Sequence, residues 1–280
     1  MSKKFGLLFF CTLVTTAIGI SFPSGIAEGR EAQTGLSFDL GPPYIGGELP
    51  NGGKLIDPPP ERDSLLMQID RAANQHAISL QGSSRWSMAA QDADLSVGWY
   101  GRAFSCAAQI DISIDTTPNL ANIIRRSATD FAMSTSGVKS EFQRLRPFMV
   151  NGKSTCTPDA EALLRQNGSY PSGHAAIGYG VGLLLASLLP DQGTALVSRG
   201  LDYGASRWVC NVHWYSDTIA SRVFAAATLA RLQTSPDFLK DLEAARAELS
   251  SMTRVSSPGS CRDNRTTFSS DRISEVSSYE

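Results

Sequence analysis

Between Ala175 and Leu189 the chain is apolar nearly all the way round a helical path, and Pro190 stops it. A helix without a polar face must be buried on every side, so the remaining segments have to be arranged around it. Gly178, Gly180 and Gly182 fall within the run and let neighbouring helices approach closely. The run is shorter than the roughly 20 residues that cross a bilayer, which makes it a core helix and leaves no membrane anchor expected.

Helical period recurs elsewhere. Asp63-Ser64 reads as a helix start, followed by Leu65, Leu66, Ile69, Ala72 and Ala73 on one apolar face. Further helices are predicted over 85–98, 118–134, 138–145, 158–166, 192–206 and 212–232, with a charged surface helix over 237–250. No region alternates as a set of strands would. With 42% hydrophobic and 19% charged residues in 280, the chain can bury a sizeable core. The expected architecture is all-α, a single-domain helical bundle over residues 61–250.

The flanks read differently. Residues 1–27 have the form of an export signal: Lys3 and Lys4, an apolar stretch from Phe5 to Ile20, then Gly25 and Ala27 as a small-residue cleavage pattern. Its removal implies a periplasmic or secreted protein. Residues 28–60 are rich in Gly and Pro and end in Pro58-Pro59-Pro60, the composition of an extended arm. Residues 251–280 are Ser-rich and weakly hydrophobic, a loose tail that Cys261 could tether. Cys106, Cys156, Cys210 and Cys261 remain after Cys11 leaves with the signal. Four cysteines bound for an oxidising compartment allow three two-bridge pairings; inert buried thiols are the other reading.

A formal net charge of -2 is wrong for a binder that neutralises many phosphates, and no nucleic-acid-reading motif is present. Any basic groups that matter must be local. Three segments supply them. In KSEFQRLRP, Lys139 and Arg146 stand two helical turns apart and would project from one face before Pro147; Arg144 reads there as ordinary surface charge. In GSYPSGHAAIGYG, Ser172 and Gly173 stand at a helix start, where amides present donors to an anion, with His174 beside them. In GASRWVCNVHWYSD, Arg207 adds a cation, and His213 and Asp217 are i and i+4 on one helical face, so that Asp217 could orient the ring. Each segment alone has a plainer reading as surface charge, a helix cap or a satisfied core histidine. His76 is given no role, and Trp208, Trp214 and Tyr215 suit core packing as well as a substrate opening.

Together the segments match K-x6-RP, PSGH and SR-x5-H-x3-D with every spacing kept. On these residues, and on Pro58-Pro59-Pro60, Asp92-Ala93 and Arg146-Pro147-Phe148, the chain resembles the bacterial class A non-specific acid phosphatases, within the type 2 phosphatidic acid phosphatase and vanadium haloperoxidase group. The likeness covers about residues 55–250. Ala175 departs from it, since that form usually has Thr after the first histidine.

The resemblance implies a metal-independent hydrolysis of phosphate monoesters with no cofactor. His213 would be the nucleophile that forms a phosphohistidine, Asp217 its orienter and His174 the acid for the leaving oxygen. Lys139, Arg146, Ser172, Gly173 and Arg207 would bind the phosphoryl oxygens. Small phosphomonoesters and inorganic phosphate are the implied ligands, with vanadate as an inhibitor, phosphotransfer to alcohols as a side activity and self-association as in other members. A protonated His174 beside an unprotonated His213 Nε2 or Nδ1 favours mildly acidic solution. Competing readings are a vanadium-dependent haloperoxidase and a non-catalytic phosphate-binding protein; the second leaves both histidines and Asp217 without a task.

Overall fold

The apolar run does form the central helix. In the computed structural model, described over residues 38–45, 49–50, 52–252 and 261, that helix packs chiefly on the one following it, then on two others. The described residues contain eleven α-helices and no strand. In chain order they are α1 Leu65–Ser79, α2 Ser84–Ala93, α3 Trp99–Ala108, α4 Pro118–Ser134, α5 Ser136–Phe142 and α6 Pro147–Asn151. The rest are α7 Glu161–Leu164, α8 Gly173–Leu188, α9 Gly193–Val209, α10 Tyr215–Leu232 and α11 Pro236–Ser250.

Helix α8 lies among α9, α10 and α4. The glycines are where backbones meet: a Cβ on Gly200 would fall 2.6 Å from the Gly178 carbonyl oxygen, and one on Gly182 2.8 Å from the Leu196 carbonyl oxygen. The main core joins Ile177, Val181, Leu184 and Leu185 of α8 to Phe104, Ile124, Phe131, Leu196 and Tyr203. Helix α11 closes on α4 through buried Phe238, Leu242 and Ala245.

Helix ends follow local chemistry. Ser64 caps α1 and Ser172 caps α8, their hydroxyls accepting from the Met67 and Ala175 amides at 3.2 Å each. Several boundaries differ from the sequence expectation. The predicted 85–98 helix stops at Ala93, and α3 was not anticipated. The 138–145 helix ends at Phe142, because Gln143 takes the left-handed conformation (φ 44°). The 158–166 helix is a 3-10 turn at Pro158–Ala160 followed by the short α7.

The face of α1 is the larger correction. Leu65, Leu66, Ile69 and Ala72 are exposed, and the buried side carries Asp70, Ala73 and Ala77. The helix is turned so that a carboxylate faces inward.

The export signal, residues 28–37 of the arm and nearly all of 251–280 lie outside the described residues. Where the arm is described it is tied to the bundle: Asp39 and Gly41 amides donate to the Leu95 and Arg125 carbonyls, and the Tyr44 and Ile45 amides to the Asp130 carboxylate. Disulfides join Cys106 to Cys261 and Cys156 to Cys210.

Candidate active site

The three sequence segments meet, although not in the way the spacing suggested. Lys139 is on α5 and Arg146 caps α6, so the turn at Gln143 separates them and they share no helical face. They converge instead on the loop before α8. The Lys139 ammonium donates to the Gly168 and Ser169 carbonyls (3.3 and 3.5 Å), and Arg146 Nη2 donates to the Gly168 carbonyl at 3.3 Å. Arg146 is further fixed by the Leu164 and Val212 carbonyls, each at 2.9 Å.

After Tyr170-Pro171, Ser172 is held by its backbone: its amide donates to the Asp217 carbonyl (3.2 Å) and its carbonyl accepts from the Ser221 hydroxyl (2.7 Å). Helical geometry leaves the Gly173 amide at the start of α8 without an internal acceptor. His174 Nε2 lies 3.3 Å from the Ala93 carbonyl. A carbonyl only accepts, so Nε2 carries the proton and Nδ1 of the neutral ring keeps a lone pair.

Helix α9 brings Arg207, whose Nε and Nη1 are buried with no hydrogen-bond partner among the described residues. Its carbonyl accepts from the Val212 and His213 amides and closes the turn before α10. His213 precedes that helix, which begins at Tyr215, not at 212 as expected. The i, i+4 pair is therefore not on one helical face: Asp217 is in the first turn of α10 and accepts from the Trp214 amide at 2.8 Å. The same oxygen lies 3.3 Å from His213 Nδ1, while Arg146 Nη1 lies 3.1 Å from Nε2. An acceptor at one nitrogen and a donor at the other specify the tautomer twice, with the Nε2 lone pair directed toward the cations.

A sequence profile of the PAP2 superfamily matches residues 122–238. An acid phosphatase of Zymomonas mobilis subsp. mobilis is 38% identical over 194 residues, 69% of this chain and 74% of that protein. A non-specific acid phosphatase of Salmonella typhimurium is 39% identical over 203 residues, 72% of this chain and 81% of its own length. One of Providencia stuartii is 35% identical over 201 residues, 71% and 81% of the two chains. The chain belongs to the non-specific acid phosphatases of the PAP2 superfamily.

Burial and like charge set the electrostatics of this acid phosphatase. Burial, then Arg146 and Arg207, push the Lys139 ammonium down to about 7, against the opposing pull of Asp217. Arg146 and Arg207 are each lowered to about 10, mainly by burial. His213 is held well below the usual imidazole range by burial and by Arg146, Lys139 and Arg207, and His174 by burial and Arg207. Three cations and two imidazoles thus share a space poor in water, an arrangement relieved by a compact anion.

Sequence reasoning missed the support behind this candidate site. Arg144 is no surface charge: its side chain is 9% exposed and pairs with both Asp70 and Asp217. Asp92, noted only as part of the likeness, receives Arg199 and the Ser206 hydroxyl next to Arg207. Nothing in the local pattern distinguishes these charges from solvated ones. Trp208 and Trp214 are buried, as packing predicts, while His76 is exposed beside Trp208.

Proposed function

We propose that the chain hydrolyses phosphate monoesters through a phosphohistidine on His213, with His174 serving the leaving group and then the water. The reading is carried by one observation: the His213 Nε2 lone pair, fixed by Asp217 behind the ring, is turned toward Arg146 within a group of buried cations. Lys139, Arg146, Arg207, the Ser172 hydroxyl and the Gly173 amide hold the three non-bridging oxygens. The otherwise unmatched Arg207 donors gain acceptors when these oxygens arrive.

With phosphate ester bound, His174 takes up a proton at Nδ1 and becomes imidazolium. His213 Nε2 then attacks phosphorus as the ester P–O bond breaks, and the leaving oxygen takes that Nδ1 proton, returning His174 to the neutral ring. Water attacks the phosphohistidine, His174 Nδ1 accepts its proton, and the P–N bond returns its electron pair to Nε2. The fixed cations perform the charge neutralisation, so no metal enters the scheme.

A site that grips the phosphoryl group leaves the alcohol weakly specified, which accounts for broad substrate use and for transfer to alcohols in competition with water. Vanadate, taking the five-coordinate geometry, inhibits. Both disulfides and the signal-like residues 1–27 support export from the cytoplasm, with residues 61–250 as the catalytic domain.

The test is turnover of a phosphomonoester panel, with acid quench to trap phosphoenzyme. Wild type should yield an acid-labile phosphoprotein, and His213→Ala should yield none while losing about 10⁴-fold or more in kcat, the scale expected for deleting a nucleophile. Trapped phosphoenzyme in the alanine variant would end the proposal.

A further inference from the structure

One cation near the site is already paired with two carboxylates. Arg144 leaves the turn between α5 and α6 and reaches inward between α1 and α10. Its Nη1 donates to Asp217 Oδ1 at 2.6 Å and to the Ser216 hydroxyl at 2.8 Å; its Nη2 donates to Asp70 Oδ2 at 2.7 Å and contacts the Met67 sulfur at 3.4 Å. Asp70, wholly buried on α1, also accepts from the Ser216 amide (2.7 Å) and hydroxyl (2.6 Å). Asp217 is therefore held at both oxygens, Oδ1 by Arg144 and Oδ2 by the Trp214 amide, and Oδ2 faces His213 Nδ1.

We propose that Arg144, braced by Asp70, is a positioning residue for the attacking histidine. It keeps Asp217 ionised and aimed, so that His213 presents Nε2 and not Nδ1 to phosphorus. The proposal rests on the phosphohistidine reading above and adds two residues to it.

Charge supports the assignment. Two carboxylates face this guanidinium, so its charge is already committed and gives little attraction to an incoming dianion. Burial holds the Asp217 carboxyl above its usual range, and Arg144 is the main group pulling it back toward the ionised form. A protonated Asp217 could no longer be relied on to accept from Nδ1, and the tautomer would be lost. The charged groups facing the pair are Asp70 from α1, Arg144 from the turn, and Lys139, Arg146, Arg207 and His174 around the ring.

The experiment uses the full chain with ¹⁵N-labelled histidine; the sequence has only three, so His213 is assigned with His76→Gln and His174→Asn variants. Wild type should show His213 protonated at Nδ1, and Arg144→Met should show the two tautomers mixed. In turnover, Arg144→Met should lose about 10- to 100-fold in kcat, the usual scale for a group behind a catalytic histidine. Its KM and its inhibition by inorganic phosphate should stay within about twofold, since it takes no part in holding phosphate. Arg144→Lys should recover most of the loss, and Asp70→Asn should lower kcat with KM unchanged.

A wild-type tautomer in folded Arg144→Met overturns the proposal. So does a loss confined to KM and phosphate inhibition, which would make Arg144 a phosphate ligand. If Arg144→Met does not fold, unchanged kcat and tautomer in both Arg144→Lys and Asp70→Asn overturn it equally. Absence of wild-type phosphatase activity would sink the function reading instead, and the tautomer measurement would still decide the role of Arg144.

Discussion

Lys139 is where charge and burial compete most evenly. With its ammonium lowered to about 7, the free site loses one of three cations as pH rises through neutrality, so dianion capture weakens on the alkaline side. We expect kcat/KM to fall above about pH 7 in a profile measured from pH 5 to 9. Lys139→Arg, which stays charged, should lose about tenfold overall through its altered geometry yet move the alkaline fall upward by at least one unit. An unmoved limb would assign the titration to another group. On the acid side the proposed role of His174 requires it to gain a proton that burial and Arg207 disfavour, and a bound phosphoryl group would supply the compensating negative charge.

At the scale of elements, the pairing of α8 with α9 aligns the machinery, since α8 begins at Gly173 and His174 and α9 ends two residues after Arg207. Gly200→Ala would drive a Cβ into the Gly178 carbonyl at 2.6 Å. Separating the helices should cost about 1–3 kcal/mol, roughly 2–4 °C of melting temperature per kcal/mol in a domain of this size. Turnover should fall together with stability, which paired thermal and kinetic assays would show.

The central place of α8 was legible because an all-apolar, glycine-containing helix has only one kind of environment; its pairing with α9 was not. The α4 span was likewise read correctly as 118–134. The face of α1 was not legible: periodicity marks an apolar stripe, but it cannot reveal that a buried arginine elsewhere requires Asp70. Arg144 was misread for the same reason, its partners lying 74 and 73 residues away. Lys139 and Arg146 do meet, at the Gly168 carbonyl, but not on the one helix that their spacing implied, because the left-handed Gln143 breaks it.

For the molecule as a whole, the site is held against the protein's own stability. Both imidazoles titrate below their unfolded value of about 6.5, so as pH drops through that value the unfolded chain binds protons the native one refuses, and stability falls. Lys139 acts in the same direction between about 7 and its unfolded value near 10.4, where the unfolded chain keeps a proton the native one has lost. These three groups therefore make the free protein more stable as pH rises from 5 to 9, opposite to the expected activity trend. Inorganic phosphate should raise the melting temperature more at pH 5 than at pH 8, as calorimetry at matched phosphate concentrations would reveal.

The Cys156–Cys210 bond ties the loop before α7 to the residue after α9, three positions ahead of His213. It closes a span of 54 residues, worth about 4 kcal/mol on the chain-entropy account. That span contains Ser172, Gly173 and Arg207, three of the groups that would grip phosphate, together with His174, the proposed acid, so they are gathered by a linkage that thiol-rich surroundings would not let form. If export follows the signal-like residues 1–27, a hydrolase tied in this way would mature only after leaving the compartment where sugar phosphates and nucleotides are kept, and the cell's own metabolites would be spared while it is being made.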